Sequence, residues 1–237
     1  MIKTMILAEY GFTNYYHKYI IFEADDLTEL LKDKIKVSDK DCYMLCSCYI
    51  DQKGLLSFNV LSIGSSYEKC TKGLKKTEML AIFGADYVME LECKIINPTY
   101  EMIQKNKYFI ELMEQNEDED LMLTRFDDRL NDVRDLYFPD VVTVGFIEMP
   151  SIVELEVKIT RFNGPFLEGK VIGVPDDIKD IHEDDLVRAL PYYFEYSRLI
   201  SVFTGNKLSK EAQKQYKKMM KLGKEAIFGF SKPILRS

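Results

Sequence analysis

Residues 42–63, Cys-Tyr-Met-Leu-Cys-Ser-Cys-Tyr-Ile-Asp-Gln-Lys-Gly-Leu-Leu-Ser-Phe-Asn-Val-Leu-Ser-Ile, contain two β-rich segments separated by a polar turn. The segments 42–50 and 55–63 are rich in the aromatic and aliphatic residues that favour strands. Between them, Asp51-Gln52-Lys53-Gly54 has the polar residues and the glycine typical of a hairpin loop. The stretch therefore predicts an antiparallel hairpin.

The residues before this hairpin predict two further strands and a short helix. Residues 2–12 and 15–24 are β-rich, and the turn residues 11–14 between them predict a second hairpin. Asp25-Asp26 supplies an acidic N-cap, and leucines follow at helical spacing, so we expect a helix that ends near Lys36. The predicted order of the first 63 residues is ββαββ.

The middle of the chain predicts mainly helices. We base this prediction on apolar residues at helical spacing, on Pro98 as a helix start and on Gly84 as a helix stop. The predicted elements are helices over 74–83, 98–113 and 121–136 and a strand over 87–96.

A second β-rich block follows from residue 141. The expected strands cover 141–148, 153–162, 168–174 and 186–196, and Pro191 indicates an edge or a break in the last of them. We therefore predict an α+β protein with mainly antiparallel sheets and helices packed to one side. The predicted domains are an α+β domain at 1–138 and a smaller β-rich unit with a C-terminal helix at 139–237.

The C-terminal segment is basic in an otherwise acidic chain. Residues 206–237 hold nine Lys/Arg and two Glu, a net charge of +7, and the whole chain has −7, so residues 1–205 sum to −14. A helix is predicted over 209–222, and its lysines recur at alternating intervals of three and four on one stripe. These candidate partner-binding residues are Lys207, Lys210, Lys214, Lys217, Lys221 and Lys224.

An apolar stripe runs beside the lysines, through Leu208, Ala212, Met219 and Leu222. The predicted helix is therefore basic and amphipathic. Such a helix can dock on an acidic protein, on phosphate backbones or on an anionic surface. Alternatively, its apolar stripe packs on the acidic body of the same chain while the lysines remain solvated.

An acidic loop offers the main enzymatic alternative. Residues 176–185 contain six carboxylates and His182, one of only two histidines, and could serve a hydrolase. However, the chain lacks the H-E-x-x-H zinc motif, a calcium-loop pattern and the glycine motifs of nucleotide sites. We therefore expect no metal and no cofactor, and a polar loop between two strands at 176–185.

The cysteines and the apolar runs indicate a cytoplasmic protein. The five cysteines are odd in number and form no CxxC pair, which is typical of reduced thiols. We interpret Cys46 and Cys48 as buried residues of a sheet, since a thiol nucleophile would require a base such as His17 beside it. No apolar run approaches the roughly 20 residues needed to cross a bilayer.

Residues 153–188 resemble a known family. They read Val-Glu-Leu-Glu-Val-Lys-Ile-Thr-Arg-Phe-Asn-Gly-Pro-Phe-Leu-Glu-Gly-Lys-Val-Ile-Gly-Val-Pro, with Ile-His-Glu-Asp-Asp-Leu-Val at 181–187. This run resembles the small β domain of the YegJ-like bacterial proteins, although Glu183-Asp184 replaces their Gly-Asp turn and their strand-opening Trp is absent. The resemblance implies a bacterial accessory protein with a binding role, and it carries over no functional residue.

Together these features predict a non-catalytic cytoplasmic protein that binds a protein partner. The type expected is a bacterial or phage accessory protein, such as an immunity protein or an inhibitor. The alternatives are a hydrolase that uses residues 176–185 with His182, and a nucleic-acid-binding protein that uses the C-terminal lysines.

Overall fold

A computed structural model describes most of the chain in two units. The described residues are 5–24, 27–31, 36–72, 81–114, 117–148, 151–163, 166–178, 181–194 and 197–203, together with 214, 217 and 221. One unit comprises Met1–Asp118 with Leu136–Pro139, and the other comprises Glu119–Asp135 with Asp140–Ser237.

The described residues of the first unit form six strands and four helices. The strands are β1 (Met5–Ile6), β2 (Tyr19–Glu23), β3 (Tyr43–Ile50), β4 (Leu56–Gly64), β5 (Ala81–Gly84) and β6 (Glu92–Ile96). They form one antiparallel sheet in the order β1-β6-β2-β3-β4-β5. The helices are α1 (Phe12–Tyr15), α2 (Leu27–Leu31), α3 (Tyr67–Lys72) and α4 (Tyr100–Glu114), with 3-10 turns at Leu7–Glu9 and Ala85–Tyr87.

The central hairpin, β3–β4, confirms the prediction for residues 42–63. Its strands pair from Tyr43↔Gly64 to Ile50↔Leu56. In the loop, Asp51 Oδ1 accepts hydrogen bonds from the backbone N–H groups of Lys53 and Leu55, at 2.8 and 2.9 Å. Gly54 has a φ of +84°, which few other residues adopt without strain. The side chain of Asp51 and the glycine together fix the turn.

Both faces of the first sheet are covered, so the expectation of helices on one side is wrong for this sheet. Alternate side chains of a strand point to opposite faces. On one face Cys46 packs in a core with Phe12 and Tyr15 of α1 and Leu31 of α2. On the other face lie a second set of buried residues, namely Tyr19, Ile21, Leu45, Leu61, Cys70 of α3 and Met102 of α4.

The predicted N-terminal hairpin is wrong. β1 pairs with β6 instead of β2, with Met5 opposite Cys93. The residues between β1 and β2 form short helices, and Phe12 stacks on Tyr16 with ring centroids 4.8 Å apart. Aromatic residues three and four positions apart share one face of a helical turn, and burial of that face outweighs their strand propensity.

The predicted helix over 74–83 is wrong in its described part. Residues 81–84 form β5, where Phe83 pairs with Phe58 and Gly84 pairs with Ser57. Residues 73–80 lie outside the described residues. The strand expected over 87–96 begins later, as β6 at Glu92, whereas α4 confirms the helix expected after Pro98. The described part of the helix expected after Asp26 is α2.

The second unit is a closed five-stranded barrel. Its strands are β7 (Val141–Glu148), β8 (Ser151–Asn163), β9 (Phe166–Ile172), β10 (Leu186–Phe194) and β11 (Ser197–Phe203). Neighbouring strands along the chain pair antiparallel, and β11 closes the barrel beside β7 in parallel. An odd number of alternating strands brings the first and the last into the same direction. The interior is filled by alternate apolar residues, including Val144, Phe146, Leu155, Val157, Leu167, Val171 and Val187.

The sequence predicts four of the five barrel strands. The paired segment of β10 with β9 ends at Ala189, and its register with β11 shifts after Pro191, as expected for a break at this proline. β11 was not predicted, because Leu199 and Ile200 are consecutive and both buried, so the segment lacks an alternating pattern. The helix expected over 121–136 is shorter in the structure. It is α5 (Glu119–Arg125), and a 3-10 turn at Asp128–Leu130 follows it.

A buried ion pair joins α5 to the start of β7. Arg125 donates from Nε to Asp140 Oδ1 at 3.0 Å and from Nη2 to Asp140 Oδ2 at 2.6 Å. Both side chains are 5% exposed. The backbone carbonyl of Asp140 also accepts a hydrogen bond from the N–H of Ile159 at 2.7 Å. These contacts fix α5, β7 and β8 at one place.

Replacement of Gly169 by alanine should destabilise the barrel. A Cβ atom at this position would lie 2.5 Å from Val157 Cγ1 and 2.6 Å from the carbonyl oxygen of Lys158. The backbone contact cannot be relieved by a side-chain rotation, so we expect a loss of about 1–3 kcal/mol in the free energy of unfolding, measured with urea. Gly173→Asn is the control, because its surroundings are open and asparagine tolerates the φ of +64°. Equal losses in both variants would contradict the steric explanation.

Candidate functional site

The lysine stripe is the candidate binding surface. Of its six predicted residues, Lys214, Lys217 and Lys221 are described, and each is helical and exposed. Spacings of three and four place them on one helical face. None of the three forms an ion pair with any residue in the described part of the chain. Lys207, Lys210 and Lys224 lie outside the described residues, as does most of the helix expected over 209–222.

The acidic loop with His182 forms a turn between β9 and β10. The N–H of His182 donates to Asp185 Oδ2 at 2.9 Å, and Asp184 has a φ of +65°. The ring of His182 is exposed and makes no hydrogen bond or ion pair with a described residue. Within the described ranges, no group of three His, Cys, Asp or Glu residues could hold a metal ion. The local contacts are those of a loop that reverses the chain.

Cys46 and Cys48 of β3 are buried, which confirms their interpretation as buried residues of a sheet. Cys46, Cys48, Cys70 and Cys93 are free thiols with little or no exposure. Burial raises the pKa of the Cys46 and Cys48 thiols well above the ordinary value and raises those of Cys70 and Cys93 to about 12. A neutral thiol is a poor nucleophile, so these side chains contribute packing.

The sequence did not predict a polar cluster around His17. Nε2 of His17 lies 2.9 Å from Glu117 Oε1, and its Nδ1 lies 3.3 Å from Glu114 Oε1. Tyr16 donates its hydroxyl to the same Glu117 oxygen at 2.5 Å. Because about a hundred residues separate the partners in the sequence, no local motif could have indicated this contact.

The cluster connects the end of α1 with the end of α4. His17 has a left-handed backbone, with a φ of +55°, and carboxylates lie at both nitrogens of its ring. The Glu117 side chain is only 6% exposed, whereas that of Glu114 is 38% exposed. These contacts hold the ring in one orientation and explain how the unusual backbone is stabilised. The cluster therefore serves to fix the two helices.

Glu114 should give the stability of the protein a pH dependence. Burial raises its pKa, Glu117 and Glu111 act in the same direction, and His17 opposes them. A carboxyl group with a raised folded pKa stabilises the fold below its unfolded pKa and loses that contribution as the pH rises through the folded pKa. Glu114→Gln should therefore increase the free energy of unfolding at about pH 7 and have a smaller effect at about pH 4.

Urea unfolding at the two pH values measures this effect. Glu90→Gln, at an exposed carboxylate, is the matched control and should change little at either pH. A Glu114→Gln variant that is less stable than the wild type at neutral pH would show that the ion pair with His17 outweighs the cost of burial.

Comparisons with protein-family models, with curated proteins and with solved structures find no match to this chain. Among the described helices, none is both long enough and apolar enough to cross a membrane.

Proposed function

We propose that this protein is a non-catalytic cytoplasmic protein that binds an acidic protein partner through the lysine stripe of its C-terminal segment. In this proposal it is an accessory protein of the immunity or inhibitor type from a bacterium or a phage. The observation that carries the proposal is the exposure of Lys214, Lys217 and Lys221 on one helical face.

The charges of the stripe favour an acidic protein over nucleic acid. Lysine provides a point charge without the planar fork with which arginine binds phosphates and base edges. The net charge of −7 on the chain also repels a long polyanion. A protein with a compact acidic patch avoids most of that repulsion, because only the patch approaches the lysines.

Two further observations support this proposal. Four buried free thiols fit a reducing compartment, in which disulfides are rare. The resemblance of residues 153–188 to YegJ-like proteins is in keeping with a binding role. No observation favours the hydrolase alternative, since the ring of His182 has no described partner.

Affinity capture from the lysate of the native host, before and after nuclease treatment, tests the proposal. We expect the full-length chain to retain a protein that remains bound after the nuclease. If everything that is captured disappears with the nuclease, the nucleic-acid alternative replaces the proposal. A chain that ends at residue 205 is the companion bait: it should lose the partner and keep a cooperative thermal unfolding transition, whereas an unfolded body would make the terminal segment a structural element.

A further inference from the structure

The outer wall of the barrel carries three charged side chains side by side on adjacent strands. Arg161 on β8 and Arg188 on β10 are both register partners of Glu168 on β9. Arg161 Nε donates to Glu168 Oε2 and Arg188 Nε donates to Glu168 Oε1, each at 2.7 Å. Asn163 Nδ2 also donates to Oε1, at 2.9 Å. One carboxylate thus holds two guanidinium groups by their Nε edges.

A β-bulge in β8 places Arg161 on this wall. Ile159 packs in the barrel interior, and strict alternation would direct residue 161 inward as well. The register shifts between Ile159 and Arg161, so Thr160 is an extra residue and Arg161 comes to lie outward beside Glu168. Bulges re-aim side chains in this way and are common beside functional sites.

Both arginines have N–H groups that remain available to donate hydrogen bonds to a ligand. Their side chains are 55% and 52% exposed, whereas that of Glu168 is 13% exposed. The Nη groups of Arg161 and Arg188 donate no hydrogen bond to a residue that the structure describes, although Asp120 acts electrostatically on Arg161. Hydrogen bonds from Arg161 and then Asn163 lower the pKa of Glu168, so this carboxylate stays ionised and holds the arginines at neutral pH.

The charge around the pair is positive and favours an anionic ligand. Lys158 and Lys170 are register partners in the neighbouring row and are exposed on the same wall, and Lys170 Nζ lies 3.6 Å from Asp184 Oδ1. Four cations thus face three carboxylates, because Asp120 also acts electrostatically on Arg161, which leaves one positive charge in excess. A phosphomonoester carries a charge of about −1.5 to −2 at pH 7, and its oxygens can accept hydrogen bonds from two arginine forks. A ligand with a single carboxylate would need only one of the two arginines.

We propose that Arg161 and Arg188, held by Glu168, form a binding site for a phosphomonoester group. The Nη edges of the two arginines would bind the phosphate oxygens, and Lys158 would add attraction at longer range. This site is independent of the lysine stripe, since it uses arginines fixed on strands and recognises a single group rather than an acidic protein surface.

Titration of the full-length protein with three probes tests the site. The probes are inorganic phosphate, a short phosphoserine peptide and sodium acetate, and the readouts are calorimetry and the Nε–H signals of the arginine side chains in NMR spectra. We expect the signals of Arg161 and Arg188 to shift with phosphate or with the phosphopeptide, and to be unchanged by acetate at equal ionic strength. Binding of both phosphate probes identifies the phosphate group alone as the ligand, and binding of the peptide alone identifies a phosphorylated chain.

Conservative variants decide whether the arginine forks carry the binding. Arg161→Lys and Arg188→Lys keep the charge and lose the fork, so each should weaken phosphate binding about tenfold. Arg129→Lys is the matched control, at an exposed arginine of the same unit, and should bind as the wild type does. Lack of binding of both phosphate probes, equal binding of acetate, or wild-type affinity in both lysine variants of the site would overturn the proposal.

Discussion

Reversal of charge at Lys214, Lys217 and Lys221 should weaken binding of the protein partner about 100-fold. Each exposed ion pair contributes about 0.2–1 kcal/mol, and a like charge in its place repels by a similar amount, so three reversals sum to about 3 kcal/mol. The measurement is the dissociation constant of the captured partner with the wild type and with the Lys214→Glu, Lys217→Glu, Lys221→Glu variant. The affinity of the wild type should also fall with salt, because the contact is exposed and ionic.

The control for this variant changes the same amount of charge elsewhere. Lys18, Lys40 and Lys53 are exposed lysines of the first unit. The variant with Glu at these three positions has the same net charge as the stripe variant. It should bind the partner with close to wild-type affinity, since steering by the net charge affects mainly the association rate. An equal loss in both variants would show that net charge alone controls binding.

Removal of one side of the Arg125–Asp140 pair should cause the largest loss of stability. Both side chains are 5% exposed and are joined by two hydrogen bonds, so Arg125→Ala leaves a buried carboxylate without its counter-ion. The expected cost is about 3–5 kcal/mol in the free energy of unfolding, measured with urea. Arg129→Ala removes the pair with Asp127, in which the arginine is 62% exposed, and should cost less than about 1 kcal/mol.

A double substitution separates the charge effect from packing. In Arg125→Met with Asp140→Leu, no buried charge remains, and we expect most of the lost stability to return. If the double variant were as unstable as Arg125→Ala, the shape of the ion pair and not its charge would be the main contribution.

The strands were predictable where β-rich runs are bounded by turn residues that lie close in the sequence. Residues 42–63 and 141–148 were placed correctly because their patterns and turn residues are local. The prediction of an N-terminal hairpin was wrong because Phe12, Tyr15 and Tyr16 have strand propensity but pack on one helical face. The helix prediction was wrong for residues 81–84 because a short apolar run has no period of its own. The pairing of this run with β4 decides its structure.

The candidate sites differ in how far the sequence could predict them. The lysine stripe depends on spacing within one segment, and Lys214, Lys217 and Lys221 could therefore be identified. The contact of His17 with Glu117 depends on two helices that meet only after folding. The orientation of Arg161 depends on the bulge at Thr160, and a count of alternate residues would have placed this arginine in the barrel interior.

Zero-length cross-linking of the captured complex tests the central claim most directly. A carbodiimide joins an amine only to a carboxylate that is in contact with it, and mass spectrometry identifies both residues. The proposal predicts that Lys214, Lys217 and Lys221 are joined to Asp or Glu residues of another protein. Cross-links from these lysines only to carboxylates of the same chain would contradict it, and would show that the basic segment is neutralised by its own acidic body.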